Sequence, residues 1–185
     1  MRELVVTQNI TVDGVIEATD WFSVAGTDPE ATADLNAALR EQAAASDAVL
    51  FGRRTFEDMR GFWPARTDDT TGVTEHLNTV TKYVVSRTLT EPGWANSEIL
   101  RGPLTEEIAG IKARQGRDIV LTGSIRLCHA LIAADLVDEY RLFVYPVVVG
   151  TGARLFADAT GVPPLRLAET RAFRSGVVLL RYRRG

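Results

Sequence analysis

The sequence predicts an α/β protein with a mostly parallel central sheet and antiparallel strands added at its C-terminal end. Three observations carry that expectation. Short β-branched, apolar runs alternate with helix-period segments for most of the chain, which is the pattern of a parallel sheet with crossover helices. Runs such as "DAVLFG" and "DIVLTG" are almost wholly apolar and do not alternate, as expected of strands covered on both faces. The tail, "LRLAETRAF" and "GVVLLRYR", carries strand signals alone and a turn near Ser175-Gly176. At 185 residues the chain is expected to form one domain.

"ELVVTQNITV" is rich in β-branched residues and reads as the first strand. The following "DGVIEATDWFSVAGTDP" mixes Gly, Asp and aromatics without a helical period and reads as a long loop. Asp28-Pro29 then opens a helix, with Asp as N-cap, Pro at the first helical position and Glu30 in the first turn. Its apolar face is expected to hold Ala31, Leu35, Ala38 and Leu39. After the strand "DAVLFG", "RRTFEDM" starts a short helix that "GFWPA" ends. "RTDDTTGVTEHLNTV" reads as a polar loop that leaves room for one helical turn. "KYVVS" and "SEIL" are strands, and "GPLTEEIAGIKARQG" is a helix stopped by Gly116. "DIVLTG" is a strand, "SIRLCHALIAADL" a helix, and "DEYRLFVYPVVVG" one long strand.

Composition narrows the function classes. Apolar residues make up 45% and charged residues 24%, an ordinary globular balance. The net charge of -3 supplies no basic field for a phosphate backbone, which argues against nucleic-acid binding. One cysteine, Cys128, and two histidines, His76 and His129, are too few for a metal framework. No apolar run approaches a membrane span, and "MRELVV" lacks a signal-peptide head, so a cytoplasmic protein is expected.

Three strand ends share one chemistry. "VLFGRRT", "VVSRTL" and "VLTGSIR" each end an apolar run in Gly or Ser and then present arginine and hydroxyl groups. Small residues let a ligand approach the backbone, helix N-termini offer unpaired amides to anions, and arginine adds forked positive charge. Along the carboxyl edge of a parallel sheet, such ends would form a groove for a ligand with several phosphates. The alternative is turn glycines beside solvated charge. No G-x-G-x-x-G follows the first strand, so the ordinary dinucleotide fingerprint is absent.

"VDGVIE", "VLFGRRTFE", "VVSRTL", "VLTGSIRL" and "YPVVVGTGARLF" resemble, in order and spacing, the dihydrofolate reductase-like family. The likeness is greatest to the branch containing the reductase domain of bacterial riboflavin biosynthesis. It implies a three-layer fold, NADPH along the strand ends and a homodimer. By this resemblance Gly52, Arg53, Arg54 and Thr55 hold phosphate groups, and Ser86, Arg87 and Thr88 lie along the adenosine half. Thr122, Gly123, Ser124, Ile125, Arg126 and Leu127 wrap the pyrophosphate and the nicotinamide ribose, and Val15 and Ile16 cover the nicotinamide. Ser124 stands where dihydrofolate reductases have the second glycine of a Gly-Gly cis peptide.

The substrate side departs further. Trp21 lies where the riboflavin-pathway reductases place a tryptophan near substrate, while their basic residues for a ribityl phosphate are not evident. Phe56, Phe62 and Trp63 are either an opposing aromatic wall or core. Of the carboxylates Asp13, Asp20 and Asp34, only Asp34 is expected on a rigid helix bordering an apolar face, where burial would raise its pKa toward that of a general acid. The reading is an NADPH-dependent reductase acting on a small pteridine-like or carbonyl-containing substrate. The alternative is a non-catalytic dinucleotide- or ligand-binding protein of the same fold.

Overall fold

The computed structural model describes residues 1–17, 19, 21, 28–69, 71–156 and 162–185. The elements, in chain order, are β1 (Leu4–Thr11), α1 (Pro29–Ala44), β2 (Ser46–Gly52), α2 (Arg53–Phe62), α3 (Val73–Thr79), β3 (Thr81–Val85) and β4 (Ser97–Leu100). They continue with α4 (Leu104–Ala113), β5 (Asp118–Leu121), α5 (Ile125–Ala133), β6 (Glu139–Tyr145), β7 (Leu165–Ala172) and β8 (Val178–Arg184). Eight strands form one sheet in the order β4-β3-β2-β5-β1-β6-β8-β7. Every neighbouring pair from β4 to β6 is parallel, and the β6–β8 and β8–β7 pairs are antiparallel.

Strand alternation divides the core into layers. Ala48 and Leu50 of β2 and Leu4 and Val6 of β1 pack with Ile108 and Ile111 of α4 and with Cys128 and Leu131 of α5. Val49 and Phe51 face the other way, onto Phe56 of α2 and Leu77 of α3. Phe143 and Tyr145 of β6 meet Leu35 and Ala38 of α1 on that same side. Helices therefore cover both faces of the sheet, which makes three layers. Among the described residues no helix is long and apolar enough to cross a membrane.

Local chemistry explains most boundaries. Asp28 caps α1 as expected, its carboxylate accepting from the Glu30 amide at 3.0 Å. The segment expected to be loop contains the two-turn helix α3. Gly72, at φ 85°, turns the chain into it, and the Asp69 carboxylate accepts from the Thr71 and Thr74 amides at 2.8 and 2.7 Å. That cap was hidden in a polar sequence. The long strand expected through Gly150 stops at Tyr145, because Pro146 has no amide to donate.

The C-terminal strands are less apolar than their sequences suggest. Glu139 is fully buried and accepts from Arg141 Nε at 2.5 Å, Arg181 Nε at 2.9 Å and Arg183 Nε at 2.8 Å. Burial would raise its pKa, but Arg141 and Arg181 hold the carboxyl below its ordinary value. Arg141 also reaches Asp118 on β5 at 2.8 Å, which ties β5 to β6 across β1.

Candidate functional site

β2 and β5 lie side by side in the sheet, so the starts of α2 and α5 emerge next to each other at its carboxyl edge. Two reciprocal hydrogen bonds fasten these starts together. The Gly52 amide donates to Ser124 Oγ at 3.0 Å, and the Ser124 amide donates to Thr55 Oγ1 at 3.1 Å. Each hydroxyl accepts once and keeps its own proton available to a ligand oxygen. Neither helix start carries a side-chain cap, so first-turn amides of both helices remain as donors.

Gly123 and Ser124 adopt consecutive left-handed conformations, with φ of 58° and 48°, and the peptide between them is trans. Gln8 on β1 holds this turn from beneath: its Nε2 donates to the Gly123 carbonyl at 2.8 Å, and its Oε1 accepts from the Gly123 amide at 3.2 Å. Gln8 was missed at the sequence level, although a buried amide in the apolar run "LVVTQNIT" was the available signal. Gly52 is informative for the opposite reason. Its φ is -79°, and a Cβ there would meet only ordinary contacts, the nearest at 3.8 Å to Leu127. Neither backbone nor packing requires glycine at that position, which leaves close approach of a ligand as a physical use for it.

The cations separate into two kinds. Arg53 donates to Thr88 Oγ1 at 3.1 Å and lies 3.8 Å from Glu57, so it braces α2 against the turn after β3. Ser86 Oγ accepts from the Thr88 and Leu89 amides and shapes that turn. Arg54, Arg87 and Arg126 are exposed, and their guanidinium groups have no partner among the described residues. Thr122 and Ile125 are partly buried beside them, and Leu127 packs into the core.

The loop after β1 is clamped to the segment after β6. Asp13 Oδ1 accepts from Thr11 Oγ1 at 2.6 Å and from the Val149 amide at 3.2 Å, and Oδ2 accepts from the Gly150 amide at 2.8 Å. The Thr11 hydroxyl and the Gly150 amide hold this carboxyl down at about 2. Arg154 Nη1 donates to the Asp13 carbonyl at 2.6 Å, and Val15 bridges to Arg154 in antiparallel fashion. Val15 and Ile16 are consequently buried, at 1% and 4% exposure. Gly152 is explained by this contact: at φ 115°, its Cβ would lie 2.9 Å from Val15 Cγ1.

On the substrate side the structure corrects the expectation for Asp34 and locates the aromatic candidates. Asp34 Oδ2 accepts from the Arg174 amide at 3.0 Å, in the turn between β7 and β8, and Arg174 Nε lies 3.5 Å away. Its pKa is lowered, chiefly by that amide, and not raised as its place beside the apolar face suggested. Phe56 is fully buried between Phe51 and Trp94 and is core. Trp63 bonds through Nε1 to Met59 Sδ and lines a cleft between α1 and α3, away from the strand carboxyl ends. Trp21 is 6% exposed, packs edge-on against Tyr145 at 5.2 Å and donates to the Glu17 carbonyl. Asp20 lies outside the described residues.

Comparison with known proteins bears on the family and the fold. The YyaP protein of Bacillus subtilis (strain 168) is 33% identical over 190 residues, covering 98% of this chain and 94% of that protein. Among solved structures, a protein assigned to riboflavin biosynthesis from Shewanella sp. PV-4 superposes with a TM-score of 0.73 at 18% identity, over 99% of both chains. A pyrimidine reductase-like protein from Corynebacterium diphtheriae gives 0.67 at 14% identity, over 98% of this chain and 91% of that one. The diaminohydroxyphosphoribosylaminopyrimidine deaminase/5-amino-6-(5-phosphoribosylamino)uracil reductase from Thermotoga maritima gives 0.68 at 17% identity, over 100% of this chain and 57% of that one. The sequence pattern of the RibD C-terminal domain matches residues 2–179, nearly the whole length, and the chain therefore belongs to the RibD C-terminal domain family.

Proposed function

We propose that the protein is an NADPH-dependent reductase that delivers hydride to a small pteridine-like or carbonyl-containing substrate. One observation carries this reading: two uncapped helix starts and three unpaired guanidinium groups share the carboxyl edge of the sheet, beside a glycine that the fold itself does not require. These residues fit a dinucleotide with several phosphates. The names of the Corynebacterium and Thermotoga proteins, both reductases or reductase-like, support the same class.

In this reading the first-turn amides of α2 and α5, with the Thr55 and Ser124 hydroxyl protons, hold the pyrophosphate. Arg54 and Arg87 attract the 2'-phosphate, while Arg53 and Thr88 brace the surface between them. Thr122 and Arg126 flank the ribose and phosphate on the α5 side. Val15 and Ile16 supply an apolar cover that keeps water from the reacting ring, and Trp21 lies beside the substrate end. NADPH, when bound, supplies the hydride. Asp34 is ionised at neutral pH, so the proton that completes reduction comes from solvent. We also propose a homodimer, as the family resemblance implies, which sedimentation should detect at twice the chain mass of 20.3 kDa.

The alternative is a protein that binds the nucleotide without turnover. The lowered pKa of both Asp13 and Asp34 favours it to that extent, since neither stands ready as an acid. NADPH oxidation across a panel of carbonyl and pteridine compounds, measured beside NADPH binding, separates the two. Binding with no oxidation of any compound selects the alternative, and no binding at all removes both.

A further inference from the structure

A second recess opens on the α1–α3 face, near the amino ends of β2, β3 and β5 and so at the opposite end of the sheet from the groove. Its volume is about 670 Å³, and small-molecule sites generally span about 300–1,000 Å³. Leu39 and Ala43 of α1, Val73 of α3, Val80 just after it, and the Trp63 ring give it apolar walls. Leu39, expected on the buried stripe of α1, is 40% exposed because it faces this cleft.

The distribution of arginine makes the cleft chemically specific. Most guanidinium groups in this chain are bound to carboxylates or carbonyls. Among the described residues, those without a partner are Arg40, Arg54, Arg87, Arg117, Arg126 and Arg166. Three of these belong to the carboxyl-edge groove, and two, Arg40 and Arg117, line the α1–α3 cleft. Glu75 is the one acid on its wall among the described residues, which leaves an excess of positive charge. His76, also on the wall, has its pKa lowered by burial and then by Arg117 and Lys82, so it reports the same positive field.

We propose that this cleft is a second small-molecule site, selective for an amphipathic anion. An apolar, preferably aromatic, body packs on Leu39, Ala43, Val73 and Trp63, and a carboxylate, sulfonate or phosphate pairs with Arg40 and Arg117. An apolar wall alone would accept any hydrophobic molecule, whereas two unpaired guanidinium groups reward a negative charge. The site stands independently of the reductase reading, because it shares no residue with the groove.

The probe is 8-anilinonaphthalene-1-sulfonate, an aromatic body with one sulfonate, titrated into the full-length protein and followed by its fluorescence. Saturable binding of one molecule per chain is expected, undiminished by saturating NADP⁺ and unchanged in Arg54→Ala/Arg87→Ala. Arg40→Ala/Arg117→Ala should weaken it at least tenfold, and neither side chain has a partner whose loss would disturb folding. The uncharged N-phenyl-1-naphthylamine should bind equally to both proteins. Leu39→Glu should abolish binding of both probes while circular dichroism stays native. Absence of saturable binding, displacement by NADP⁺, or equal affinity in the Arg40→Ala/Arg117→Ala protein would each overturn the proposal. None of these readouts requires turnover, so its failure is distinguishable from failure of the reductase reading.

Discussion

On the proposed reading, wild type prefers NADPH, and the double variant Arg54→Ala/Arg87→Ala should bind NADPH and NADH almost alike. Arg53, Arg54 and Arg87 cluster where α2 and the turn after β3 meet, but of the three only Arg54 and Arg87 have guanidinium groups without a partner among the described residues. A charge-assisted hydrogen bond is worth about 1.5–3 kcal/mol when shielded, and exposed pairs contribute nearer 1 kcal/mol. Both arginines are exposed, so about 1–1.5 kcal/mol each is the appropriate share, or about 2–3 kcal/mol together. That corresponds to roughly 30- to 150-fold weaker NADPH binding, with NADH changed less than about threefold. Arg53→Ala alone should cost less, because Arg53 is already engaged with Thr88 and Glu57. Isothermal titration with both nucleotides measures the ratio directly. Raising the salt concentration should also narrow the wild-type preference, since screening acts on exposed charge. Equal losses for NADPH and NADH, or a larger loss in Arg53→Ala, would refute the assignment.

Three further outcomes follow from the geometry. Glu139→Ala leaves the buried Arg141 with Asp118 as its one carboxylate partner among the described residues and removes a partner from Arg181 and Arg183, so stability should fall by about 3–5 kcal/mol. Calorimetry should then show the melting temperature lower by roughly 6–20 °C, and a change under 2 °C would mean the network is not structural. Asp13 has its pKa depressed from 3.8 to about 2, so its contribution to stability is complete above the unfolded value and is lost as pH falls through the folded one. Acid titration between these two values should loosen the 147–156 segment in wild type, read as faster hydrogen exchange there, whereas Asp13→Asn should show the loosened state already at neutral pH. Asp34→Asn should leave turnover within about threefold, because a carboxyl that is already ionised donates no proton; a loss of 10²-fold or more, the size general acid catalysis supplies, would restore Asp34 as the donor.

The local features of the chain were written in short stretches of it. The cap at Asp28, the buried runs of β2 and β5, and the hairpin at Ser175-Gly176 depend on residues close in sequence. Backbone preferences and period-two or helical burial act over those distances and survive without knowledge of the fold. The strand-end pattern of Gly or Ser followed by Arg was legible for the same reason. Tertiary structure decided what each of those arginines does. Arg53 and Arg54 are neighbours in the chain, yet one faces Thr88 from another strand connection and the other has no partner among the described residues. The same holds for Asp34, whose carboxyl is controlled by an amide 140 residues away. Helical spacing could place it beside an apolar stripe, but only the folded chain brought the Arg174 amide to it and reversed the direction of its pKa. The role of a charged group is set by its nearest partners in space, and when those partners come from distant segments no local pattern contains them.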